Sequence, residues 1–199
     1  EIKQFADYLF DQFGTIDEGQ FYIDIIDNKL ELPTYFPVWA TGIALNNNII
    51  IDNTKIKNSP HLLKVLRHEI CHLYQHSINN YSTFPSWFKE GMAMFLAKQF
   101  SIDNRYLISK AVWMNCLIDL NDLDQFSKLN ETEINLAYEQ SLMAYEKLIK
   151  LLNQKPQSIK DIFLKMQESN ATFNTAFESV VGISVESFKN DYNNTMQGI

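Results

Sequence analysis

The stretch 58–78, from Asn58-Ser59-Pro60 through His68-Glu69-Ile70-Cys71-His72 to Ile78, constrains this chain more than any other. Asn58 followed by Ser59-Pro60 is a helix start, a capping side chain and then a proline whose missing N–H costs nothing in the first turn. The apolar residues beyond it recur at helical spacing, so the pattern predicts one helix over 58–78. With His68 at 0° and about 100° per residue, His72 falls at about 40° and Glu69 at about 100°, while Leu62, Leu63, Leu66, Ile70 and Leu73 fall between about 120° and 220°. The two imidazoles therefore stand one turn apart, about 6 Å along the axis, and off the stripe that anchors the helix in a core. A histidine that merely fills a core belongs in that stripe.

The pattern H-E-x-x-H at this spacing reads as two ligands for one Zn²⁺, with the Glu between them able to reach a bound water as general base. The chain has only four histidines, which makes a chance match uncommon. His76 continues the series but stands about 12 Å along the axis from His68, so it reads as a residue outside the ligand set. His61, in the first turn, reads as solvated, and Cys71 as a small packed thiol. A catalytic zinc needs a third protein ligand and an open position. Trp87-Phe88-Lys89-Glu90-Gly91-Met92-Ala93 opens a second apolar helix, expected to run from near Ser86 through Phe100. A carboxylate set among Trp87, Phe88, Met92 and Met94 is costly to bury without a cation, so Glu90 is the candidate, with an ordinary surface glutamate as the alternative.

Around these helices the chain reads as α+β. Ile2, Phe5, Leu9, Phe10 and Phe13 have helical spacing ending at Gly14, and Phe21–Ile26 alternates as a strand. Val38–Leu45 and Ile49–Asp52 flank Asn46-Asn47-Asn48, which predicts a hairpin with asparagine in the turn. From Asn104 onward the pattern is helical, with breaks at Asn121–Asp124, Asn153–Pro156, Asn170 and Gly182. At 199 residues, 46% hydrophobic and 13% aromatic, the chain can bury one sizeable core, and a single domain over 1–199 is expected: sheet and ligand helices in 1–100, a helical subdomain in 101–199. A net charge of −7 without a basic stripe argues against nucleic acid as a partner. Two cysteines make no disulfide framework, and no apolar run reaches the ~18 residues of a transmembrane helix. Opening at Glu1 rather than Met is expected of a chain whose leader or tag has been removed. The abundance of Asn and Ile is expected of an AT-rich bacterial genome. The compartment stays open between cytoplasm and export, and the oligomeric state is not legible.

H-E-x-x-H followed by W-x-x-E-G resembles the gluzincin metallopeptidases, in particular the bacterial peptidase MA-like domain family. The hairpin Ala40–Ala44 with Ile49–Ile51 is similar to the strand pair before that family's metal helix. Ala137-Tyr138-Glu139-Gln140-Ser141 resembles its A-Y-x-x-S helix, and Ala176-Phe177, Gly182-Ile183-Ser184 and Phe188 resemble its closing helices. The resemblance covers most of 38–192. It implies a zincin-like fold, a small N-terminal sheet with its hairpin packed on the metal-binding helix. It implies His68, His72 and Glu90 as ligands of one Zn²⁺, and Glu69 as general base and proton shuttle in peptide hydrolysis. It further implies Tyr138 as the donor to the oxyanion, a tyrosine packed between helices being the alternative reading and Tyr145 the reserve candidate.

The sequence also departs from better-known gluzincins. Where thermolysin-like enzymes carry an Asp four residues after the glutamate ligand, this chain has Met94, so the partners of the ligating imidazoles are not legible. Residues 38–51 contain no acidic side chain, whereas the related aminopeptidases grip a free amine with a glutamate there. Endopeptidase action on an extended peptide or protein, paired along Thr41–Leu45 or Ile49–Asp52, fits better. The competing expectation is a catalytically silent zincin-like scaffold that binds a peptide or protein partner.

Overall fold

A computed structural model describes residues 1–13, 21–100, 102–153 and 158–197. Gly14 and residues 154–156 of the expected break at Asn153–Pro156 lie outside the described residues. The molecule is α+β. In chain order it runs α1 (Ile2–Phe13), β1 (Tyr22–Ile26), β2 (Gly42–Leu45), β3 (Asn48–Asp52), α2 (Ser59–His76), α3 (Ser86–Leu96), α4 (Ile102–Trp113), α5 (Glu131–Leu152), α6 (Ile159–Ser169), α7 (Phe173–Val181) and α8 (Val185–Gln197). No described helix is long and apolar enough to cross a membrane.

The sheet has the order β1-β3-β2, with β1 parallel and β2 antiparallel to β3. Asn46 and Asn47 both adopt left-handed φ (49° and 64°), the conformation a two-residue hairpin requires and asparagine tolerates. The strand begins only at Gly42; Val38–Thr41 is loop, and Val38 is fully at the surface at 91% exposure. The outer strand departs from the alternation expected of it, because Tyr22, Ile23 and Ile25 are all exposed at the edge. β3 lies at the centre of the sheet, where Ile49 and Ile51 are fully buried.

Helix α2 starts as expected, with the Asn58 side chain accepting from His61 N and Pro60 in the first turn, and it ends at His76, two residues short of Ile78. At its centre it is buried on more than one side, since His68, Glu69 and Gln75 are buried together with Val65, Leu66, Ile70, Cys71 and Tyr74. The second apolar helix ends at Leu96 rather than Phe100. The reason is a Schellman cap: Lys98 takes a left-handed φ of 55°, Gln99 N donates to Met94 O (3.0 Å) and Lys98 N to Phe95 O (3.2 Å). The later breaks at Asn170 and Gly182 are left-handed helix stops, and Asn121–Asp124 leads into a 3-10 segment, Asp122–Lys128.

Helix α3 packs closely against α5. A Cβ placed on Gly91 would lie 2.3 Å from Ser141 O and 2.7 Å from Tyr145 Cβ, so glycine is what lets these backbones approach. Beneath them Trp87, Phe88, Phe163, Phe173, Phe177 and Phe188 form an aromatic core with α6, α7 and α8. The helical back half thus braces α3, and through it Glu90, against α2.

Candidate metal centre

His68 and His72 come from α2, and Glu90 from α3, one residue before the glycine that seats that helix. His68 Nε2 and His72 Nε2 lie 3.0 Å apart, and Glu90 Oε2 is 3.3 Å from the first and 3.4 Å from the second. Tetrahedral zinc with arms of 2.0–2.2 Å separates its ligand atoms by about 3.3–3.5 Å, so these three atoms outline one face of such a site. Glu90 Oε2 is buried and, although in ion-pair range of both imidazoles, has no hydrogen-bond partner. A cation placed against that face would satisfy all three groups, and no other grouping of three His, Cys, Asp or Glu among the described residues has metal-site spacing.

Burial alone would lower the His72 imidazole; the Glu90 carboxylate facing it, helped by Glu69 and Gln75, outweighs burial and holds it at about 9. Burial would raise the Glu90 carboxyl, but the facing imidazoles of His72 and His68 hold it well below the usual carboxylate range. Glu69 behaves oppositely. Burial pushes its carboxyl up, the two imidazoles offset part of that, and Glu90 adds to it. The Glu69 carboxylate sits beside β2 because Gly42 has no side chain: a Cβ there would lie 2.9 Å from Glu69 Oε1.

A stability prediction follows for the metal-free protein. A group whose pKa rises on folding from 6.5 to about 9 stabilises fully below pH 6.5, and that stabilisation fades as pH climbs through 9. The chelator-treated protein should therefore melt at progressively lower temperature across that window, and His72→Gln should flatten the slope. Parallel melting curves for parent and variant would refute the assignment.

The site opens on a cleft of about 880 Å³. Its walls are Trp39–Gly42 before and at the start of β2, His68 and Glu69 of α2, and Tyr138 and Glu139 of α5. The Tyr138 ring lies 6.3 Å from that of His68 and 6.4 Å from that of Trp39, both edge-on. Burial, together with the charges of Glu90 and Glu69, raises its phenol well above the ordinary range, so it is a hydrogen-bond donor at neutral pH. Tyr145 packs instead in the core against Phe88 and Phe95, 1% exposed, and does not line the cleft. The His76 ring packs at a tilt against Tyr81, and His76 is not part of the His68-His72-Glu90 group. His61 lines the cleft, its Nδ1 accepting from Lys57 N. Cys71 and Cys116 are free; burial pushes the Cys71 thiol far up, which leaves it inert.

Two residues that the sequence did not single out touch the candidate ligands. Gln75 Oε1 is 3.0 Å from His72 Nδ1, and Gln99 Oε1 is 2.9 Å from His68 Nδ1. Gln75 follows His72 by three positions on the same helix, a neighbour spacing the sequence does display. Gln99 reaches His68 only because the Schellman turn folds the chain back, and no periodicity signals that.

Fold and site together define an α+β protein with a His-His-Glu cluster, one member of which, His68, lines a cleft together with the buried Glu69. The chain belongs to the peptidase MA superfamily, whose family model matches residues 20–198. No curated protein and no solved structure matches the chain.

Proposed function

We propose that this protein is a zinc-dependent peptidase of gluzincin type with a zincin-like fold, cutting within peptide chains rather than removing their first residue. The observation that carries the reading is the near-equilateral triangle of His68 Nε2, His72 Nε2 and Glu90 Oε2, with the Glu69 carboxylate next to it. His68, His72 and Glu90 would hold the ion, which when bound acidifies water and polarises a carbonyl. Glu69 takes the proton of the attacking water and passes it to the leaving amine. Its raised carboxyl suits a group that must both accept and return a proton near neutral pH. Tyr138, protonated and lining the same cleft, donates to the oxygen that gains charge.

Of the sheet's two outer strands, β1 and β2, only β2 borders the cleft, so an extended substrate would pair there. The Ile49–Asp52 strand is closed, because β3 lies between β1 and β2, so of the two expected edges only Gly42–Leu45 remains. The bond from Asp52 N to Thr41 O sets the alternation, which turns the N–H and C=O of Gly42 and Ala44 outward. Lys57, Lys64 and Lys110 also line the cleft, and none of the three is ion-paired among the described residues. The His61 imidazole, also in that wall, is lowered by burial and then by the Lys57 and Lys64 charges.

This wall predicts a preference. In a mixed pool of N-terminally blocked peptides, those with Asp or Glu near the cleavage point should be cut several-fold faster than those with Lys or Arg, a gap that narrows as salt rises to ~0.5 M. Product mapping by mass spectrometry on the zinc-loaded protein tests both claims. Cleavage confined to free N-termini overturns the endopeptidase reading, and stoichiometric zinc without any cleavage identifies a silent scaffold instead.

A further inference from the structure

Both imidazoles of the metal centre are held from behind by a neutral amide. Gln75 is fully buried and its orientation is fixed: Nε2 donates to Lys89 O (3.0 Å) and faces Cys71 Sγ (3.7 Å), so Oε1 must be the atom that meets His72 Nδ1. Lys89 precedes the ligand Glu90, so this one side chain ties a ligand on α2 to the first turn of the helix that carries the third ligand. Gln99 does the same from the other end of α3. It occupies the position after the left-handed Lys98, a conformation that is unfavourable for a non-glycine residue. That turn returns its amide oxygen to 2.9 Å from His68 Nδ1.

We propose that Gln75 and Gln99 are the positioning residues of the metal centre: their amide oxygens hold each imidazole with hydrogen on Nδ1, so that both Nε2 lone pairs converge beside Glu90 Oε2. The inference rests on the metal reading given above. An imidazole whose Nδ1 is pinned as a donor has its Nε2 lone pair free and its ring fixed about both axes, which removes rotamer freedom that metal binding would otherwise have to freeze. The amide also sets the strength of the site. A carboxylate at the same place would pull harder on the Nδ1 hydrogen and make Nε2 a stronger donor, so an amide pair holds the ion less tightly than a carboxylate pair. Electrostatically this fits its surroundings, because Glu90 Oε2 already faces both imidazoles and further anions behind the histidines would add like-charge repulsion.

The test compares zinc dissociation constants of the 199-residue chain, from chelator competition at one fixed pH, for parent, Gln99→Met, Gln99→Glu and Gln75→Met. The melting temperature of each metal-free protein is read alongside. Gln99→Met keeps the length of the side chain but loses the acceptor, and should weaken zinc about 10–100-fold while the metal-free melting temperature stays near the parent's. Gln99→Glu restores the acceptor and should bind at least as tightly as the parent. Gln75→Met should weaken zinc similarly; because that side chain is fully buried, the cleft-lining Gln99 pair decides the matter should the Gln75 variant fail to fold. Parent-like zinc binding by Gln99→Met, or no recovery in Gln99→Glu, overturns the proposal while the metal site stands. A parent that takes up no zinc overturns the metal reading, and this inference with it.

Discussion

Glu69→Gln is expected to lower peptide hydrolysis by about 10²–10⁴-fold while leaving zinc uptake stoichiometric. The substitution preserves the volume that Gly42 leaves open beside β2 and removes only the ability to accept a proton. Its stability effect has a defined sign. Burial raises the Glu69 carboxyl, so the folded state disfavours its ionised form, and what Glu69 contributes to stability is lost as pH rises through its folded pKa. Near pH 7 and above, the neutral glutamine relieves that cost, so the metal-free variant should melt no lower than the parent. Stopped hydrolysis with intact zinc and undiminished melting is the signature of a lost base. Parent-level turnover in the zinc-loaded variant would sink the mechanism, whereas loss of zinc together with activity would show that the substitution damaged the site.

Gly91→Ala should destabilise the protein by about 3 kcal/mol, opposite in sign to the usual gain of about 1 kcal/mol for this change in a helix. The new Cβ would stand 2.3 Å from Ser141 O and 2.9 Å from Ser141 C, backbone atoms that cannot rotate away. The helices α3 and α5 must then separate. For a chain of this size the melting temperature should fall by about 6–12 °C. The neighbouring Glu90 moves with its helix, so the variant should also bind zinc more weakly than the parent even under conditions where it is fully folded. A variant that melts at the parent's temperature would mean that the close approach of α3 and α5 is not what the folded protein requires.

These effects separate what local pattern determines from what assembly determines. The α2 helix, its cap at Asn58, the one-turn spacing of His68 and His72 and the asparagine turn of the hairpin are consequences of short-range chemistry, and each is readable along the chain. Glu90 could be nominated because a carboxylate among large apolar neighbours is expensive without a cation, although nothing local could set its distance to the imidazoles. That distance depends on Gly91 meeting Ser141, a contact between residues fifty positions apart in the chain.

The rest was decided by the tertiary structure. Pairing of β1 on the far side of β3 is a long-range choice, and it alone closes one of the two edges that sequence alternation left equivalent. The exposure of Ile23 and Ile25 has the same origin, since alternation within a strand does not say which face, if either, the rest of the chain will cover. Tyr138 and Tyr145 are two turns apart on one helix and chemically identical, yet α5 presents one to the cleft and packs the other into the core. Gln99 joins the site through a left-handed turn that has no apolar period to announce it. The sequence by itself determined the types of the candidate ligands, the proposed general base and the helices that carry them, because those follow from spacing of a few residues. Only the tertiary structure decided which oxygen faces which nitrogen, because bonding partners far apart in the chain are brought to 3 Å contacts by packing and not by propensity.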